Sequence, residues 1–140
     1  MGKTIRSTEG KQTRDFNYIE NLVDGFILAG ESDKALGQLI NLGSGREISI
    51  KDLILMIHKE TNSSSELKIG DLEYRPTEIW RMVADNKRAK ELLNWTPKVS
   101  FEEGLRHTIK WYKKFLEQYG NKNSPLCELS RFVEESRVNN

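Results

Sequence analysis

Apolar residues recur at Ile19, Leu22, Val23, Phe26 and Ile27, the spacing of one helical face. Gly30 and the polar run Glu31-Ser32-Asp33-Lys34 mark the end of that helix. After Gly37, the stretch Gln38-Leu39-Ile40-Asn41-Leu42 reads as a short strand closed by Gly43-Ser44-Gly45. Ser49 and Asp52 form a capping box with Asp in place of Glu. They open a second helix with Ile50, Leu53, Ile54 and Ile57 on one side. The polar residues 61–65 break it, and residues 65–69 read as a second strand with Leu67 and Ile69 on one face. Residues 70–77 read as a loop, because Gly70-Asp71 favours a turn and Pro76 keeps Arg75 out of helical conformation.

Asp85 is placed to cap a short helix through Leu93, stopped by Asn94, which tolerates the left-handed conformation. Pro97 bars further helix, and Lys98-Val99 reads as extended. Ser100 and Glu103 make a second capping box. The long helix after it carries Leu105, Ile109, Tyr112 and Leu116 on one side and ends at Gly120. Ser124-Pro125 then reads as the start of a last amphipathic helix bearing Leu126, Leu129, Phe132 and Val133. The polar first dozen residues read as an entering loop. The expected fold class is helix-rich α/β, or α+β-like, with strands too few and too short for a full sheet.

Composition narrows the function classes. The chain's 140 residues make one domain, long enough to bury a core and hold one site. Lys and Arg number 22 against 21 Asp and Glu, so no overall field announces nucleic acid or an anionic membrane. The longest apolar run, from Leu53 to Ile57, is far short of the ~20 residues a membrane span needs. Polar residues after Lys3 and Arg6 give no signal-peptide pattern, and Arg6 stands where a myristoylation motif wants Ser or Thr. A single cysteine, Cys127, excludes an intramolecular disulfide and suits a reducing, cytoplasmic setting.

Candidate chemistry is sparse. Gly43-Ser44-Gly45 follows a candidate strand, but Ile48 replaces the third glycine of a dinucleotide fingerprint. The helix also starts at Ser49 rather than among the glycines, which favours a plain strand-to-helix turn over a cofactor loop. His58 and His107 lie on different helices without carboxylates or cysteine at ligand spacing, and nothing positions a base for Cys127. These three read as structural or surface residues, and no metal site is expected. Lys110-Trp111-Tyr112-Lys113-Lys114 mixes bases with aromatics, yet on a helix they point apart and read as a solvated face. Two segments stand out. Arg14 lies among polar residues just before the first helix, and Arg75 sits on a proline-stiffened loop with Glu78 three residues on. Arginine forks suit phosphate oxygens, and a carboxylate accepts from ribose hydroxyls; the alternative is a pair of surface arginines in local ion pairs.

The residues then become recognisable. Gly10-Lys11-Gln12-Thr13-Arg14-Asp15-Phe16-Asn17-Tyr18-Ile19 resembles the G-x-Q-x-R-D-[FW]-x-[YH]-[VI] segment of extended short-chain dehydrogenases/reductases that modify nucleotide sugars. Ile40-Asn41-Leu42-Gly43-Ser44-Gly45 with Ser49 is similar to their strand-turn-helix. Tyr74-Arg75-Pro76-Thr77-Glu78-Ile79 resembles their R-P-[TG]-[ED] loop, its T-E form being that of GDP-mannose 4,6-dehydratases. The stretch from Asp85 to Pro97 is similar to the D-x-[ST]-[KR]-A-x-x-x-L-G-W-x-P ending, with Asn94 for the usual glycine. The helix from Ser100 to Trp111 completes the resemblance, which runs in order from Gly10 to Lys114.

The resemblance implies the helix-rich C-terminal substrate domain of a Rossmann-type enzyme. It places a nucleotide-sugar-binding domain at residues 1–120 and an extra helix and tail at 121–140. Enzymes of this kind carry G-x-x-G-x-x-G near the N-terminus and a catalytic Y-x-x-x-K, and neither motif occurs here. NAD(P) serves the complete enzyme, a 4,6-dehydratase (lyase) or epimerase (isomerase), and is not expected to bind this chain alone. The implied substrate-binding residues are Gln12, Arg14, Arg75 and Glu78, with Arg14 and Arg75 on the diphosphate, Glu78 at the ribose and Gln12 lining the pocket. The implied partners are a nucleotide-diphosphate sugar and a separate or missing dinucleotide-binding half. Neither nucleic acid nor membrane is implied, and homo-oligomers are left open. A chain of this kind performs no turnover by itself; a non-catalytic binding or regulatory module, or a truncated product, is the alternative.

Overall fold

The computed structural model describes residues 3–119, which fall into two units, one ending at Leu105 and one beginning at Arg106. The last helix expected at residues 126–133, and Gly120, lie outside the described residues.

In the first unit, strands β1 (Ile5–Ser7) and β2 (Thr13–Arg14) precede helix α1 (Ile19–Gly30). A 3-10 turn at Asp33–Ala35 follows, then β3 (Ile48–Ser49) and α2 (Ile50–Glu60). Next come β4 (Leu67–Ile69), β5 (Arg81–Met82) and α3 (Lys87–Leu93). Helix α4 (Phe101–Tyr119) begins in this unit. The strands make two small sheets. β1 pairs with β4 in parallel, Ile5 opposite Leu67 and Ser7 opposite Ile69. β2 lies between β3, antiparallel to it, and β5, parallel to it. The first dozen residues, read as an entering loop, therefore contain strand β1.

The helix ends follow local chemistry. Ser49 Oγ accepts from the Asp52 amide at 3.0 Å, which caps the helix, and donates to the Asp52 carboxylate at 2.6 Å. Asp85 Oδ1 accepts from the Lys87 amide at 3.0 Å at the start of α3. Asn94 ends that helix at φ 51°, ψ 31°, the left-handed conformation expected of it. Ser100 Oγ accepts from the Glu103 amide at 3.3 Å at the start of α4.

The core is small. Among the described residues, the buried apolar side chains are Ile48, Ala89, Leu93 and Trp95. Leu28, Ala29, Ile40, Leu42 and Leu92 pack partly buried around the last three. Trp95 is 2% exposed and donates from Nε1 to the carbonyl of Asn21 at 2.9 Å. Asn21, equally buried, ties the chain after Trp95 to α1. Its Oδ1 accepts from the Lys98 and Val99 amides, and its Nδ2 donates to Val99 O and Asn17 Oδ1. Every hydrogen-bonding position of that buried amide is thus filled.

Two expectations change here. Helix α1 turns Asn21, Gly25, Leu28 and Ala29 inward, and the periodic residues Ile19, Val23, Phe26 and Ile27 outward. Gly25 decides this, because a Cβ there would stand 2.7 Å from Leu42 Cδ1 and 3.1 Å from Trp95 Nε1. The helix approaches the core closely on its small-residue side. Residues 38–42, expected as a strand, join no ladder; side chains hold them instead, Arg88 donating to Leu39 O and Asn41 to Asp85 O.

In the second unit, the described part of α4 carries Trp111 stacked on Phe115 at 5.1 Å and edge-on to Tyr112 at 5.0 Å. No helix among the described residues is long and apolar enough to cross a membrane.

Candidate functional site

β2 and the loop that precedes β5 bring Arg14 and Glu78 together. The Thr13 amide donates to Trp80 O at 2.8 Å and the Asp15 amide to Met82 O at 3.0 Å, extending the pairing of β2 with β5. At the far end the Lys11 amide donates to the Tyr74 hydroxyl at 2.8 Å, and the Tyr74 ring lies 4.6 Å from that of Trp80. The loop is therefore fastened to the strand at both ends. Within it Arg75-Pro76-Thr77-Glu78 makes a turn closed by Glu78 N–H to Arg75 O at 3.1 Å, with proline at the second position, where its fixed φ fits.

Arg14 Nη2 donates to Glu78 Oε1 at 3.0 Å, while Nη1 donates to Thr13 O and Ile79 O, each at 2.7 Å. The two side chains are only 21% and 15% exposed, so the pair is shielded from solvent. An arginine has five N–H donors, and these bonds leave two for a ligand. Glu78 keeps its second oxygen as an acceptor. Arg75 is exposed at the start of the turn. Gln12 is 9% exposed, and its Oε1 has no partner among the described residues.

A second ion pair braces the same sheet. Glu47, just before β3, accepts from Arg81 Nε at 2.8 Å on β5 and from Thr13 Oγ1 at 2.8 Å on β2. Arg81 and Thr13 together hold the Glu47 carboxyl below its ordinary value of 4.5. A carboxyl lowered by folding stabilises above its ordinary value, and that contribution is lost as pH falls through the lowered one. Glu47→Gln should accordingly flatten the acid limb of the melting temperature against pH below about pH 4.5. A variant as acid-sensitive as the parent would show that the brace does not form in solution.

Asp15, next to Arg14, does work that its place in the motif does not announce. Its Oδ1 accepts from the amide and hydroxyl of Ser44, and its Oδ2 from the amides of Gly45 (2.9 Å) and Ala84 (3.3 Å). One carboxylate thus joins β2, the glycine turn and the segment after β5. Gly43 must be glycine, since a Cβ would stand 2.7 Å from Asp15 Oδ2 and overlap Ala84 Cβ. An open cleft of about 690 Å³ lies here, lined by Arg14, Phe16, Asn41, Met82, Ala84 and Asp85.

This wiring also tests the glycine turn as a cofactor loop. A pyrophosphate cradle offers free amides at a helix N-terminus. Here the Ser44 and Gly45 amides are taken by Asp15, and α2 starts only at Ile50. The turn does not fit a dinucleotide. His58 Nε2 is bonded to Ser65 O at 2.9 Å, which joins the end of α2 to the segment before β4.

The comparisons agree with one another. The family model described as GDP-mannose 4,6 dehydratase matches residues 2–108. Over 111 residues the chain is 37% identical to a UDP-glucuronate 4-epimerase of Thermodesulfobacterium geofontis, covering 78% of this chain and 33% of that protein. Over 123 residues it is 34% identical to the human dTDP-D-glucose 4,6-dehydratase, covering 84% of this chain and 34% of that one. The solved UDP-glucose 4-epimerase of Thermotoga maritima, with UDP-glucose, superposes with a TM-score of 0.72 at 29% identity, over 81% of this chain and 36% of that one. The chain spans about a third of the length of the relatives it matches. Ordered motifs, a Rossmann-type neighbourhood and the family match converge: the chain belongs to the NAD-dependent nucleotide-sugar epimerases and dehydratases of the extended short-chain dehydrogenase/reductase family.

Proposed function

We propose that this chain is the substrate-holding part of an NAD(P)-dependent nucleotide-sugar 4,6-dehydratase or epimerase. The observation that carries this reading is the meeting of Arg14 with Glu78, 64 positions apart, on the turn that also holds Arg75. Arg75 and the two remaining donors of Arg14 hold the diphosphate. The free oxygen of Glu78 accepts from the ribose, and Gln12 lines the same pocket with its unpaired Oε1. The T. maritima structure with UDP-glucose and a Bacillus cereus 4-epimerase structure with UDP-glucuronic acid and NAD support a nucleotide sugar as the ligand class.

In such an enzyme NAD(P) supplies the hydride acceptor. The residues of this chain bind and orient. Held at its diphosphate and ribose, the nucleotide sugar has its reacting carbon fixed by remote binding energy, while other groups move the proton and hydride. Calorimetry with UDP-glucose and GDP-mannose should show weak, saturable binding by the full chain, at least about tenfold weaker in Arg75→Ala. No nucleotide-dependent heat from the parent chain, or heat unchanged in the variant, overturns the reading.

A further inference from the structure

The second half of helix α4 presents an apolar side to solvent. Trp111, Tyr112 and Leu116 are 57%, 55% and 61% exposed, and Trp111 stacks on Phe115 at 5.1 Å. On a helix, positions 109, 112 and 116 line up with 111 and 115 beside them, so these side chains form one continuous stripe. Single exposed apolar residues are ordinary on a surface; three large ones within two turns mark a contact patch. Its surroundings are basic. Lys113 and Lys114 flank the stripe on either side, Lys110 lies behind it, and all three are exposed. Glu117 is the one acid between positions 109 and 118.

The sequence after α4 carries a segment that matches this stripe in pattern, charge and reach. Gly120 is the residue type that closes a helix, and Ser124-Pro125 suits the start of a new one. From there Leu126, Leu129, Phe132 and Val133 fall on one helical face, bordered by the acids Glu128 and Glu135. The connection from Gly120 to Ser124 is short and polar, the kind that joins antiparallel neighbouring helices. A helix from Pro125 to Ser136 runs about 18 Å, enough to return about as far as Ile109. The family model ends at residue 108, so this segment lies outside it. We propose that residues 125–136 fold back as a helix on the exposed side of α4, Leu129 and Phe132 covering Leu116, Tyr112 and Trp111, with the acids toward the lysines. A helix this short is marginal alone, so its order depends on the stripe. The pairing is independent of the substrate site.

Amide hydrogen exchange on the full chain tests it. Residues 126–133 should exchange at least about tenfold more slowly than an unstructured chain, at a rate independent of protein concentration. Leu116→Asp should remove that protection although it changes only α4, and Leu116→Met should keep it. In return, Phe132→Asp should speed exchange across residues 110–118 by at least about tenfold, and Phe132→Leu should not. Melting of the core around Trp95 should stay within about 2 °C in Phe132→Asp, so the readout survives even where Leu116→Asp unfolds the chain. Absence of protection at 126–133 overturns the proposal, as does protection indifferent to Leu116→Asp, which an isolated helix would show. So does exchange in α4 that ignores Phe132→Asp. Protection that grows with concentration, beside a dimer in sedimentation that Leu116→Asp dissociates, overturns it by making a second copy the occupant.

Discussion

Trp95→Ala should lower the unfolding free energy by about 3–5 kcal/mol, read from the urea midpoint at unchanged slope. The indole is the largest fully buried side chain among the described residues, packed with Ala89 and Leu93. Its loss opens a cavity and removes the bond to Asn21 O. A whole domain is ordinarily stable by only about 5–15 kcal/mol, so the variant should lose a large share of its stability. The effect is concentrated because few apolar side chains are buried among the described residues. Trp95→Phe should recover part of the loss, since a ring still fills most of the space. An alanine variant within about 1 kcal/mol of the parent would show that this cluster does not organise the fold.

Asp15→Ala should cost about 2–4 kcal/mol, and Asp15→Asn should rescue little of it. The carboxylate oxygens each receive two donors, three of the four being backbone amides. An asparagine offers one oxygen and one NH2 group with two donors. Turned either way, it sets a donor against at least one amide, leaving a part-buried group unpaired. Chemical denaturation of both variants tests the energy. Calorimetry with UDP-glucose tests the consequence, because Arg14 adjoins Asp15 and should lose its orientation when the glycine turn comes loose. Full stability in Asp15→Asn would show that neither the charge nor the second acceptor oxygen matters there.

Much of the local structure was legible. Ser49 with Asp52, Ser100 with Glu103, and Asn94 mark helix ends through chemistry confined to a few neighbouring residues, and each stands where it was expected. Residues 67–69 likewise form the anticipated strand. What escaped was set by distant partners. The apolar period of α1 is correct as a helix signal, yet it marks the outward side; the inward side was chosen by Gly25 meeting Leu42 and Trp95. Residues 38–42 have a strand's pattern but no strand beside them among the described residues. The two-residue strands β2, β3 and β5 are too short to show any period at all. The candidate site divides the same way. Arg14, Arg75, Glu78 and Gln12 were named from motif resemblance; the structure pairs Arg14 with Glu78 and sets Arg75 at the start of the same turn. Asp15, Asn21 and the Glu47–Arg81 brace organise the surroundings through contacts 29 or more positions away, and no spacing rule points to them.

The parallel pairing of β2 with β5 also sets the order in which the molecule assembles. Arg14 reaches Glu78 only after a loop of 64 positions closes, an entropic cost of about 3–4 kcal/mol on the logarithmic scaling of loop length. A ladder of two residue pairs recovers little of that alone. Helices α1 and α2, being local, form early and cheaply by comparison, whereas the meeting of the two chain segments waits on the packing around Trp95 and the knot of donors on Asp15. The arginine–carboxylate pair therefore persists only while the packing around Trp95 and the contacts of Asp15 hold its two chain segments together.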